Sequence, residues 1–182
     1  MATKKKITTL EEVFNYLSWI PRINRGGCGI SALAIYRWLE KENLLIKNPV
    51  LKWKNTKFVF LYDNCHRFVL DNNRIAVKDH NTDPIAPNHA VLFHMGEYID
   101  SDGIVDVSGF KWMQNITEEE FVIRANNSLD YWNPDFNRNK YLKVISKKLG
   151  IDLSDIVNRE VYSWQELRTP TIPPPRIMKR KV

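Results

Sequence analysis

Cysteine is scarce in this chain of 182 residues: there are two, Cys28 and Cys65. Two cysteines do not make the disulfide framework of a small secreted domain, so a reducing compartment is the simpler expectation. No Cys-x-x-Cys pair occurs, and a zinc site with the usual ligand spacing is not expected. No apolar run approaches the ~20 residues that span a bilayer. The Met1–Lys6 segment carries lysines with no apolar stretch behind them, which does not read as a secretory signal. There is no internal repeat and no recognisable nucleic-acid motif. Together these absences predict a cytoplasmic protein with no membrane association, no specific nucleic-acid recognition, and no metal or organic cofactor.

What is present predicts a folded domain. Hydrophobic residues make up 43% and aromatic residues 12% of the chain, more apolar content than a disordered segment carries. The length suits one domain with a full core. The net charge is +6, and much of the excess is terminal: Lys4, Lys5 and Lys6 at one end, Arg176, Lys179, Arg180 and Lys181 at the other. Such runs read as solvated arms able to hold an acidic surface through screened electrostatics. Residues 1–7 read as one arm. Residues 169–182, with Pro173-Pro174-Pro175 before Arg176, read as an extended proline-rich basic tail, a candidate docking segment for a protein partner.

Between these ends the pattern alternates in kind. Thr9 to Glu12 fits a capping box, and Leu10, Val13, Phe14 and Leu17 continue at helical spacing until Pro21. A second helix is expected from Cys28 to about Asn43. Residues 57–62, 66–70 and 74–77 are aromatic and β-branched and predict strands, with turn chemistry at 71–73. Residues 89–100 predict a hairpin about Met95-Gly96, and 104–110 an added edge strand. Helical character returns at 117–120, at 137–149 with Tyr141, Val144, Ile145 and Leu149 on one stripe closed by Gly150, and near 152–155. The fold class is therefore α+β. Residues 1–168 form a single domain, its core at 9–110 and its C-terminal helical part at 117–168.

One stretch carries chemistry. Gly26-Gly27-Cys28-Gly29 delivers a cysteine to a helix start, and Cys28, Ala32, Ile35 and Leu39 fall on one face. Glycines let the chain turn tightly there and a substrate approach. A helix N-terminus carries roughly half a positive elementary charge and unpaired N–H groups. Both favour the thiolate, which is the nucleophile, and the same N–H groups can receive an oxyanion. His89 opens the hairpin. A two-residue loop sets Val91 opposite Asp100 and His89 opposite Asp102, so all four share one face. Either aspartate can orient the imidazole: Asp100 lies in the strand, Asp102 before Gly103. Taken singly, a cysteine on an apolar helix face is usually a small buried hydrophobe, and a strand histidine is usually structural. Their candidacy comes from the set of nucleophile, base and orienting acid. His94 falls on the opposite face, and His80 lies in a proline-containing loop. Trp53 and Trp112 are read as packing residues or walls of a cleft.

These residues resemble the papain-like cysteine peptidase superfamily in its broad sense, which includes transglutaminase-like and NlpC/P60-like enzymes. The resemblance rests on Gly26 to Gly29 with the following helix, and on His89-Ala90-Val91 leading to Tyr98-Ile99-Asp100; it covers about residues 9–110. It implies a papain-like fold, with a cysteine helix packed on an antiparallel sheet that supplies the histidine, and here a C-terminal helical extension. It implies a nucleophile at Cys28, a base at His89, an acid at Asp100, and oxyanion contacts from Asn24 and Gly29. Papain-like peptidases proper place a glutamine before the cysteine, and this loop has none. The implied activity is a thiol-dependent hydrolase acting on an amide bond of a peptide or protein substrate: a peptidase, or a glutamine deamidase or acyl transferase. The alternative is a non-catalytic interaction or structural protein on the same fold. Small size and a Lys/Asn/Ile-rich composition fit a phage-encoded protein, which would work in the host cytoplasm or the virion.

Overall fold

The computed structural model describes residues 6–21, 23, 27–62, 67–71, 74–78, 89–110, 112–119, 121–122, 138–154 and 177–179. Helix α1 spans Leu10–Ser18, α2 Cys28–Lys41 and α3 Arg138–Leu149. The strands are β1 (Lys57–Tyr62), β2 (Arg67–Asp71), β3 (Arg74–Lys78), β4 (His89–His94), β5 (Glu97–Asp100), β6 (Gly103–Ile104), β7 (Trp112–Ile116) and β8 (Ile177–Lys179). Five strands form an antiparallel sheet in the order β6-β5-β4-β1-β7, and β8 adds to the outer side of β7; β2 and β3 form a separate hairpin. The chain is α+β.

At β1 the sheet is buried on both faces, which is why the strand reads as the near-continuous apolar run Phe58-Val59-Phe60-Leu61-Tyr62. Phe58, Phe60, Tyr62, Ala90, Leu92 and Ile99 join the helices in the main core. Val59, Leu61 and Val91 face the other way, under Val105, Val107 and Phe110. Residues 105–110 therefore do not extend the edge strand that the sequence predicts. An Asx turn, Asp106 Oδ1 accepting from Ser108 N–H at 2.8 Å, folds them over that second face.

Helix α2 is the axis of the main core. Its residues 29–36, with Trp38 and Leu39, are buried on nearly every side, so the single apolar stripe expected from the sequence understates its burial. The α3 stripe also differs: Leu142, Ile145 and Leu149 are buried, while Val144 lies 47% exposed. Ile7 is buried in the same core rather than lying in a free arm. At α1, Thr9 Oγ accepts from Glu12 N–H at 3.2 Å, but the Glu12 carboxylate returns to Thr8 N–H at 2.9 Å, one residue before the cap. Ile177–Lys179, expected to be free tail, pairs with Gln114–Trp112. Strand β7 itself was not anticipated.

Candidate active site

The site is assembled at one end of α2 and the matching end of the β4–β5 hairpin. Gly27 caps α2 without a side-chain hydrogen bond, at φ −99°. Its need for glycine is one of space. A Cβ there would fall 2.6 Å from the Ile23 carbonyl oxygen and 2.9 Å from Ile23 Cα. The incoming loop presses its backbone on the cap, and with no capping side chain the first-turn N–H groups are not consumed by one. Cys28 begins the helix as a half-buried free cysteine beside the main core. Gly29 is buried in the same turn. Asn24, Cys65, His66 and His80 lie outside the described residues.

The hairpin supplies the partners. Met95 and Gly96 have φ of 52° and 94°, the two left-handed residues of a type I′ turn. The register is Leu92↔Ile99, Phe93↔Tyr98 and His94↔Glu97. Continued inward, it sets Val91 against Asp100, diagonal to His89 on the same face. There His89 Nε2 meets Asp100 Oδ2 at 2.7 Å, with side-chain exposures of 16% and 8%. The other carboxylate oxygen, Oδ1, accepts from Asp102 N–H at 2.7 Å. Asp100 is thus fixed from both sides, and Asp102 serves through its backbone at the turn to β6. The choice left open by spacing falls to Asp100. The Phe110 ring lies 6.5 Å from the imidazole and nearly parallel to it. No local sequence signal points to Phe110, because only the fold of 105–110 over the sheet brings it there.

The electrostatics follow from this enclosure. Burial pulls the His89 imidazole down, disfavouring its charged form. The hydrogen bond to Asp100, the hydrogen bond and charge of Cys28, and the charge of Asp100 outweigh it and push the group up to about 10. With Nε2 given to Asp100, Nδ1 is the nitrogen left for the sulfur. The structure therefore brings Cys28, His89 and Asp100 to one place, with the ring between the sulfur and the carboxylate. That order suits proton transfer at a sulfur nucleophile, the aspartate holding the ring's tautomer and orientation.

The second histidine of the strand behaves differently. His94 is buried on the opposite face, its Nδ1 2.9 Å from Thr56 Oγ1, and burial lowers it below its ordinary value. Trp53 is not a wall of this site. It precedes Lys57, which pairs with Phe93, whereas His89 pairs with Leu61 at the other end of β1, about 14 Å along the strand. Among the described residues there is no group of three or more His, Cys, Asp or Glu placed to hold a metal ion. Nor is any helix there long and apolar enough to cross a membrane. No protein-family model, no curated protein and no solved structure matches this chain.

Proposed function

We propose that the protein is a thiol-dependent enzyme of papain-like type, hydrolysing or transferring the acyl group of an amide in a peptide or protein. Cys28 Sγ attacks the carbonyl carbon, and the first-turn N–H groups of α2, Gly29 among them, receive the oxygen as it becomes negative. His89 gives its proton to the leaving nitrogen as the C–N bond breaks, leaving a thioester on Cys28. The neutral ring then takes a proton from water or an acceptor amine as that nucleophile attacks the thioester, and the thiolate leaves. Asp100 holds the ring throughout. The observation that carries this reading is the 2.7 Å contact of Asp100 with an imidazole that Cys28 also engages.

The test is alkylation of Cys28 by iodoacetamide at pH 6 in a Cys65→Ser background. An imidazolium beside the sulfur favours the thiolate, the form that reacts. His89→Ala is expected to slow the reaction at least about tenfold, and Asp100→Asn by less, because it leaves the ring in place. In parallel, Cys28→Ala abolishes turnover of a mixed peptide library while the fold persists. A rate indifferent to His89→Ala overturns the enzyme and leaves the interaction protein.

A further inference from the structure

The segment between α2 and β1 has no part in that site. Between Glu42 and Asp63 the chain holds four lysines and no acidic residue. Its middle is a braced projection. The Asn48 side chain accepts from the backbone N–H groups of Val50 and Leu51 at 2.8 Å each, and Asn48 N–H donates to Asn55 Oδ1 at 2.6 Å. Behind them Thr56 N–H donates to the Ile46 carbonyl at 2.9 Å, and a 3₁₀ turn at Lys52–Lys54 closes the tip. What this frame presents is apolar: Val50 is 84% exposed, Trp53 62% and Leu51 38%. A single exposed apolar side chain needs no explanation. Three on one hydrogen-bonded tip, flanked by exposed Lys52 and Lys54, make a surface suited to a particular partner.

The chemistry of the tip selects among partners. Aliphatic side chains with one tryptophan suit the boundary between water and hydrocarbon. Lysines beside them suit a negative surface potential. A single-stranded nucleic acid asks instead for bare aromatic faces along a groove. Here Val50 and Leu51 share the tip, and Lys54 Nζ sits 4.9 Å over the Trp53 ring. We propose that the 48–54 loop docks the protein onto an anionic lipid surface, with Val50, Leu51 and Trp53 entering the headgroup boundary and Lys52 and Lys54 beside the lipid phosphates. The absence of a spanning run argues against an integral span and does not bear on peripheral docking of this kind, so the expectation of no membrane association does not extend to this loop. The loop follows the C-terminal end of α2, and the 14 residues of that helix set its end about 20 Å from Cys28.

Co-sedimentation of the full chain with phosphatidylcholine vesicles, with and without phosphatidylserine, tests this. Binding is expected only to the mixed vesicles, and high salt should release it. The double variant Val50→Ser, Trp53→Ser should weaken binding at least about tenfold, and Lys52→Glu with Lys54→Glu comparably. Cys28 alkylation and thermal unfolding should stay unchanged in both. The basic termini can also attract anionic lipid, so the apolar double variant decides. Full binding by that variant, no binding by the wild type, or a wild type that binds a single-stranded oligonucleotide through Trp53 and ignores vesicles overturns the proposal.

Discussion

Two histidines on one strand show how local surroundings set opposite chemistry. His89 is held up to about 10 despite burial, by Asp100 and Cys28, while His94 is pulled down by burial against a neutral hydroxyl. Their contributions to stability therefore run in opposite directions with pH. The raised group stabilises the fold fully below the unfolded histidine value of about 6.5 and loses that contribution as pH rises through about 10. The lowered group costs nothing at high pH and begins to destabilise as pH falls below about 6.5, where the unfolded chain takes up the proton. In urea titrations, the stability gap between wild type and His89→Gln should be widest near pH 6 and close toward pH 10. His94→Gln should lose less stability than wild type between pH 7 and pH 5. A His89→Gln gap that does not change with pH would mean that the fold leaves the ring's pKa at its unfolded value. Gly27 makes a second residue-scale case. The Cβ of Gly27→Ala would collide with backbone atoms of Ile23, which cannot swing aside as a side chain can. The substitution should cost about 1–3 kcal/mol and slow Cys28 alkylation, because relief of the collision moves the cap that aims the cysteine.

At the scale of elements, the β4–β5 hairpin fixes the site through its turn. A one-residue slip would carry Asp100 to the other face, so the type I′ turn is as much part of the site as the carboxylate. Met95 occupies a left-handed position, φ 52° and 74% exposed, where an unbranched side chain gains nothing and the backbone is strained by about 1 kcal/mol. Asparagine is at ease there. Met95→Asn should raise stability by about 0.5–1 kcal/mol, or roughly 1–4 °C in Tm for a chain of this size, with alkylation unchanged. A drop in Tm would show that the turn is not of this type. This hairpin was legible in the sequence because Met95-Gly96 between two short apolar arms is a local turn signal, and the period-two facing of strand side chains sets Asp100 on the face of His89. The start of α2 was legible for the same reason. Strand β7 was not. Its pairing with β1, Phe58↔Ile116 through Tyr62↔Trp112, joins segments 50 or more residues apart, and Trp-Met-Gln-Asn-Ile carries little β-branching to mark it. Nor was the all-round burial of α2, because periodicity reports one apolar face and α2 is covered by the sheet, α1 and α3 together.

At the scale of the whole molecule, the question is whether the C-terminal helix belongs to the same cooperative unit as the site. The core joins Val13 and Leu17 of α1, the length of α2, the inner face of the sheet, and Leu142, Ile145, Leu149 and Leu153 in one cluster. Polar ties reinforce it at the C-terminal end of α2. Arg37 donates to the Asp152 carbonyl at 2.6 Å and approaches Glu118 at 3.4 Å, and Lys41 donates to the Leu149 carbonyl at 2.7 Å. Those lysine and carbonyl groups satisfy the end of α3, which Gly150 closes at φ 66°. A helix attached only by such surface ties could peel away on its own. One that buries Ile145 fully against the central helix cannot do so without opening the core that holds Cys28. Ile145→Ala leaves a cavity at a fully buried position and should cost about 2–5 kcal/mol. The shift should appear as one transition, with tryptophan fluorescence, helical circular dichroism and the unmasking of Cys28 to a thiol reagent moving together. If helicity were lost first while Cys28 stayed protected, α3 would be an accessory. A single transition instead makes α3 part of what holds the N-terminus of α2 against His89, which ties the geometry of the site to a helix at the other end of the chain.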